Sequence, residues 1–207
     1  MPYPADKTAV LLIGFQNDFL AHKGALSSVI QQNVDENQVL ENTENLLNEL
    51  RDTEVLIVNT PILFSEDYSE LSDPSGLMAT IKEAGAFRRD AWGGNVHQMI
   101  LDQGDRVVHL QGKTRFNGFH GTDLHEFLEE KGVENIVIAG VITSLCVDST
   151  ARAAADLGFN VTILTDCAAA RTSDEHTFYC ESIFPLYAGT ATSYSFLEQL
   201  QADAAAV

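Results

Sequence analysis

Cys146 is the residue in this chain best placed to do chemistry. An apolar run from Asn135 to Ala139 reads as a buried strand, Gly140 interrupts it, and the pattern turns helical from Ser144 through Ala155. The first turn of a helix carries unpaired N–H groups and a partial positive charge. Those groups favour a thiolate over a thiol and offer donors to an oxyanion. A cysteine at such a strand-to-helix junction is a candidate nucleophile. The other two cysteines, Cys167 and Cys180, have no such setting, and each reads as a small core residue.

The elements that must position this thiol alternate between strand-like and helical patterns. Thr8–Phe15 is a near-continuous apolar run, as expected for a central parallel strand covered on both faces. Asn33–Asp52 has helical spacing through Val39, Leu46, Leu47 and Leu50. Glu54–Thr60 reads as a second strand, stopped by Pro61, and a helix is expected near Gly76–Ala84 within a loop-rich stretch. Arg106–Leu110 and Asn160–Thr165 read as further strands, and Thr122–Lys131 and Thr172–Leu186 as helices, before a short closing segment, Thr190–Leu200. This alternation predicts an α/β fold with a mostly parallel sheet, in which ligands bind beyond the carboxyl ends of the strands. The residues to inspect are therefore Gly14–Phe19, Pro61–Glu70, Gln111–Thr122, Gly140–Cys146 and Asp166–Thr172.

Three of these strand ends carry a resemblance. LLIGFQNDF at Leu11–Phe19, GKTRFNGFHGTDL at Gly112–Leu124 and GVITSLCVDSTARAAADLGFNVTILTDCAAA at Gly140–Ala170 occur in order over nearly the whole chain. Together they resemble the isochorismatase-like cysteine hydrolases, which include nicotinamidases, carbamoylsarcosine amidohydrolases and isochorismatases. The resemblance implies one domain over residues 1–207, a three-layer sandwich whose six-stranded, mostly parallel sheet is flanked by helices. It also implies acyl transfer: Cys146 attacks an amide-type carbonyl, a thioester forms, and water hydrolyses it. Lys113 would be the cationic partner of the thiolate. The N–H groups of Cys146 and Ile142 would form the oxyanion hole, the latter presented by a cis Val141–Ile142 peptide.

One position departs from the family pattern. Its first-strand motif has an aspartate that orients the lysine and shuttles the proton, and here that position is Gly14. Loss of a positioned general acid–base costs about 10²- to 10⁴-fold in rate. Three explanations compete. Another carboxylate substitutes, Asp18 foremost, with Glu66 and Asp67 after the second strand; the Cys146–Lys113 pair acts alone on an activated substrate; or the site binds a small metabolite without turnover. Asp18 has an equally good local role in a turn or helix cap. If the pocket is otherwise intact, restoring an aspartate at position 14 should raise hydrolysis of simple amides.

The expected substrate is a small molecule with a C–N bond to cleave. Phe15, Trp92, Phe116 and His120 are the candidate pocket residues, each set against an alternative of core packing or a solvated loop. Isochorismatase chemistry needs the missing aspartate and is disfavoured. Nicotinamidases hold a metal through Asp-x-His after the second strand, which Thr60–Asp73 lacks. His97, His109, His120 and His125 have no zinc-type spacing, so no metal and no other cofactor is expected.

Composition excludes other classes. The 207-residue chain has 45% hydrophobic residues, enough for a sizeable core, and a net charge of −18, which opposes binding to nucleic acid or an anionic membrane. No early stretch joins a basic region to an apolar core, and no apolar run is long enough to span a bilayer. With the odd, widely spaced cysteines, this leads to the expectation of a cytoplasmic protein with reduced thiols. The family habit adds the expectation of a homodimer or homotetramer.

Overall fold

The computed structural model describes residues 3–205. Six strands make one parallel sheet: β1 (Thr8–Ile13), β2 (Leu56–Thr60), β3 (Val108–His109), β4 (Asn135–Val141), β5 (Asn160–Ala169) and β6 (Gly189–Ala191). Their order is β3-β2-β1-β4-β5-β6, and every pairing is parallel. The helices are α1 (Asn17–Leu20), α2 (Ser27–Glu36), α3 (Val39–Glu49), α4 (Gly76–Ala84), α5 (Gln98–Leu101), α6 (Leu124–Glu130), α7 (Asp148–Asp156), α8 (Ser173–Phe178) and α9 (Ser193–Ala205). None of them is long and apolar enough to cross a membrane.

The unbroken apolar character of β1 follows from its two covered faces. Val10 and Leu12 join a cluster with Val39, Leu46, Leu47 and Phe196, while Ala9, Leu11 and Ile13 join another with Leu124, Leu128, Val147 and Ala151. Strand β4 divides in the same way, Val137 and Ala139 to one side and Ile136 and Ile138 to the other. Helices on both faces thus make three layers, as the alternation of patterns predicts.

Several elements differ in extent from the sequence expectation. The single helix expected over Asn33–Asp52 is two helices, α2 and α3, separated at Gln38, whose φ of 51° is left-handed. Helix α8 stops at Phe178, and the rest of its expected span is a π turn and a 3-10 turn ending at Leu186, with Pro185 in the latter. The short β6 lies inside the region expected only to close the chain. At three residues it carries too little periodicity to be seen.

Strand order places the switch point between β1 and β4, whose following connections leave in opposite directions across the sheet. The crevice outside their carboxyl ends is where such folds bind ligands. Gly14 follows β1 and the Cys146 turn follows β4, so both open onto it.

Candidate active site

Cys146 stands in a π turn, Thr143–Val147, and not in the first turn of an α-helix as the sequence suggests; α7 begins two residues later, at Asp148. The turn closes on Ile142, whose carbonyl accepts from Leu145 N–H at 3.0 Å and Val147 N–H at 3.2 Å. Its wide winding has a side-chain cause. Thr143 and Ser144, which could have capped a helix, are instead bonded to α8. The Val141–Ile142 peptide is cis. Cys146 is 3% exposed.

Lys113 arrives from the other side of β1. Its backbone continues the sheet beyond β2: Lys113 N–H donates to Pro61 O at 2.9 Å, and Leu63 N–H donates to Lys113 O at 2.9 Å. Gln16 supports this register from β1. Its Nε2 donates to Ile62 O at 2.9 Å and Gly94 O at 2.8 Å, and its Oε1 accepts from Ile62 N–H at 2.8 Å. The Lys113 side chain is buried, and its Nζ donates to the carbonyls of Arg115 at 3.0 Å and Phe116 at 2.9 Å. Three donors and two carbonyls leave one N–H for another acceptor. No ion pair among the described residues includes Lys113.

The carboxylates considered as replacements for the missing aspartate are occupied elsewhere. Asp18 is buried, but its Oδ1 accepts from Ala25 N–H at 3.0 Å and its Oδ2 from Phe87 N–H at 2.6 Å. It is packed so closely against Gly93 that a Cβ there would lie 2.1 Å from Oδ1. Asp18 therefore fixes the backbone of two loops, with both of its oxygens engaged there. Glu66 pairs with Arg88 at 3.5 Å on an exposed rim, and Asp67 accepts from Ser65 Oγ at 2.8 Å in its own turn. Neither reaches the lysine.

The candidate pocket residues separate. Phe15 has no exposed surface and belongs to the core, in line with the packing alternative set beside it. Phe116 is half-buried against both core clusters, and its carbonyl holds the lysine. Trp92 is 54% exposed, and its carbonyl accepts from Asn17 Nδ2 at 2.9 Å. His120 lies exposed on the loop after Lys113. Among the described residues no group of three or more His, Cys, Asp and Glu side chains is arranged to hold a metal ion.

Two residues that sequence reasoning passed over complete the surroundings. His176 of α8 is buried, with Nδ1 2.9 Å from Thr143 Oγ1 and Nε2 2.9 Å from Thr165 O. Glu175 accepts from Ser144 Oγ and pairs with Arg171 at 2.9 Å. Burial holds the His176 imidazole below its usual range, against the raising effect of Thr165 O. For Glu175 burial pushes upward, but hydrogen bonds from Arg171 and Ser144 leave the carboxyl below its ordinary value. Their partners on the Cys146 turn, Thr143 and Ser144, lie 33 and 31 residues away in sequence, so nothing short of the fold could have joined them.

The isochorismatase domain model matches residues 8–195. The isochorismatase family protein YwoC of Bacillus subtilis is 30% identical over 165 residues, spanning 79% of this chain and 84% of that protein. The ureidoacrylate amidohydrolase RutB of Caulobacter segnis is 25% identical over 180 residues, 80% of this chain and 74% of its own. A cysteine hydrolase from Pseudomonas syringae superposes with a TM-score of 0.85 over 98% of this chain and 96% of its own, at 21% identity.

Proposed function

Because the chain belongs to the isochorismatase family, we propose that it is a cysteine-dependent hydrolase of a C–N bond in a small amide. The observation that carries this reading is the arrangement of Cys146 and Lys113, both buried, on either side of the carboxyl end of β1. An amidohydrolase among the sequence relatives supports the bond type. The Cys146 thiolate attacks the carbonyl carbon, and the N–H groups of Ile142 and Cys146 receive the oxyanion. Collapse breaks the C–N bond, the nitrogen takes its proton from water or from an acid the substrate carries, and the resulting hydroxide or a water converts the thioester to the acid and regenerates the thiolate.

With Gly14 in place of an acid, proton delivery to the leaving nitrogen is the weak step. This favours activated amides, whose nitrogen leaves as a weak base, or substrates that bring their own acid. Lys113, with one N–H free, supports the charge of the thiolate. The reaction requires no metal ligand from this chain. We place it in the cytoplasm and, following the habit of the family, in a homo-oligomer.

A second reading is a protein that binds a small metabolite in this crevice without turnover. It is favoured by Gly14 together with the engagement of Asp18, Glu66 and Asp67 away from Lys113. A panel of small amides and ureido acids separates the two. Hydrolysis by the native chain, abolished in Cys146→Ser and accompanied by a trapped acyl adduct on Cys146, supports the hydrolase. Saturable binding of a panel member with neither product nor adduct supports the second reading.

A further inference from the structure

We propose that His176 is the positioning residue for Cys146, acting through the hydroxyl of Thr143. The inference rests on Cys146 being the reacting thiol and adds what holds it in place. Thr165 O can only accept, so the hydrogen of the His176 imidazole is on Nε2, 2.9 Å away. Nδ1 is then a lone pair, and Thr143 Oγ1, also at 2.9 Å, donates to it. The ring therefore bridges the first residue of the Cys146 turn to strand β5 with both nitrogens committed.

Burial gives the bridge its force. Thr143 is 0% exposed and His176 7%, and the bond between them is buried, so water cannot replace it without opening the packing. Thr143 directly follows Ile142, the proposed oxyanion donor, and lies three residues before Cys146. A π turn winds more loosely than an α turn and needs outside support to hold one geometry. His176 supplies that support at Thr143, and Glu175, itself held by Arg171, adds a second contact at Ser144.

His176 does not serve as a base toward Cys180. Its Nε2 lies 3.4 Å from that sulfur, but the Nε2 hydrogen belongs to Thr165 O, and burial pushes the Cys180 thiol up to about 12. The imidazole is thus committed to structure at the reacting turn.

The test is the alkylation rate of Cys146 by iodoacetamide, read by mass spectrometry, with the fully buried Cys167 as an internal reporter of global opening. Thr143→Val removes the hydroxyl and keeps the shape, whereas Thr143→Ser keeps the hydroxyl. Valine should slow Cys146 about 10- to 100-fold, the scale of a misplaced reacting group, while serine stays within about twofold of native and Cys167 remains unlabelled. A valine variant that labels at the native rate or faster overturns the proposal. If valine exposes Cys167, the comparison passes to His176→Asn, which offers an acceptor near the Nδ1 position, and His176→Leu, which does not. Asparagine should label faster than leucine, and equal rates overturn the proposal. Native Cys146 labelling no faster than Cys167 would instead defeat the hydrolase reading itself.

Discussion

Gly14 lies so close to Val141 that a Cβ built on it would stand 2.8 Å from the Val141 carbonyl oxygen and 3.2 Å from Cγ2. Its φ of +70° is also left-handed, a conformation that glycine adopts freely and other residues do not. The position is shaped for glycine, so placing there the aspartate that the resemblance led us to expect is more than adding a side chain. We expect Gly14→Asp to lose about 1–3 kcal/mol of stability in urea denaturation, and not to raise amide hydrolysis as the sequence alone suggests. A stable variant with higher activity would show that the crevice can still take the acid.

Gly140 is held more tightly. A Cβ there would meet Ile13 O at 2.0 Å, and φ is +133°. Because that contact is backbone of the paired strand, nothing flexible can yield. Gly140→Ala should be among the most damaging single changes, costing about 4 kcal/mol or more, read as a loss of soluble folded protein or a collapse of the denaturation midpoint.

Asp18→Asn distinguishes structure from catalysis. The amide can accept one of the two backbone N–H groups, from Ala25 and Phe87, and presents a hydrogen to the other. Stability should fall by about 1.5–3 kcal/mol, while the native protein keeps its Cys146 alkylation rate. Lost alkylation at unchanged stability would return Asp18 to the chemistry.

The three thiols should differ in reactivity. Burial pushes Cys167 and Cys180 each up to about 12, with Asp166 adding to the effect on the first and Glu181 on the second. Both stay protonated at neutral pH, and the thiolate is the reactive form. Peptide mapping after brief alkylation of the native chain should find the label on Cys146. Equal labelling of Cys180 would contradict its environment.

Stability should decline as pH falls through the histidine range. Burial lowers His97, His109 and His176 from their usual 6.5, with Asp102 opposing it at His97 and Thr165 O at His176. Above about 6.5 these groups are neutral in both folded and unfolded chains, and their contribution is fully present. Below it the unfolded chain takes up protons that the folded chain resists, so stability is lost until the folded values are also passed. The urea midpoint should drop between pH 7.5 and 5.5, before the carboxylates titrate. A midpoint that is flat or rises would mean that these rings are not held neutral.

Much of the site was legible because its residues follow strands. Cys146 after β4 could be read from an apolar run followed by a break, whereas Lys113 stood out only through the resemblance of the Gly112–Leu124 segment. What could not be read was partnership. For Asp18 sequence left catalysis and a local cap evenly matched, because its acceptor role is toward the backbones of Ala25 and Phe87, and a backbone N–H leaves no trace in sequence. Phe15 looked like a pocket wall because strand-end position does not reveal which side is packed. The π turn escaped for a related reason, since the pattern reads as helical from Ser144 until α8 is seen beside it.

Gln16 has a consequence in polymer terms. One amide latches segments 46 and 78 residues away in the chain, at Ile62 and Gly94. The entropy of closing a loop grows only logarithmically with its length, each doubling adding about 0.6 kcal/mol. Lengthening either connecting segment at an exposed turn is therefore a small perturbation to the latch. Insertions between the three segments should disturb the fold far less than loss of the side chain that gathers them.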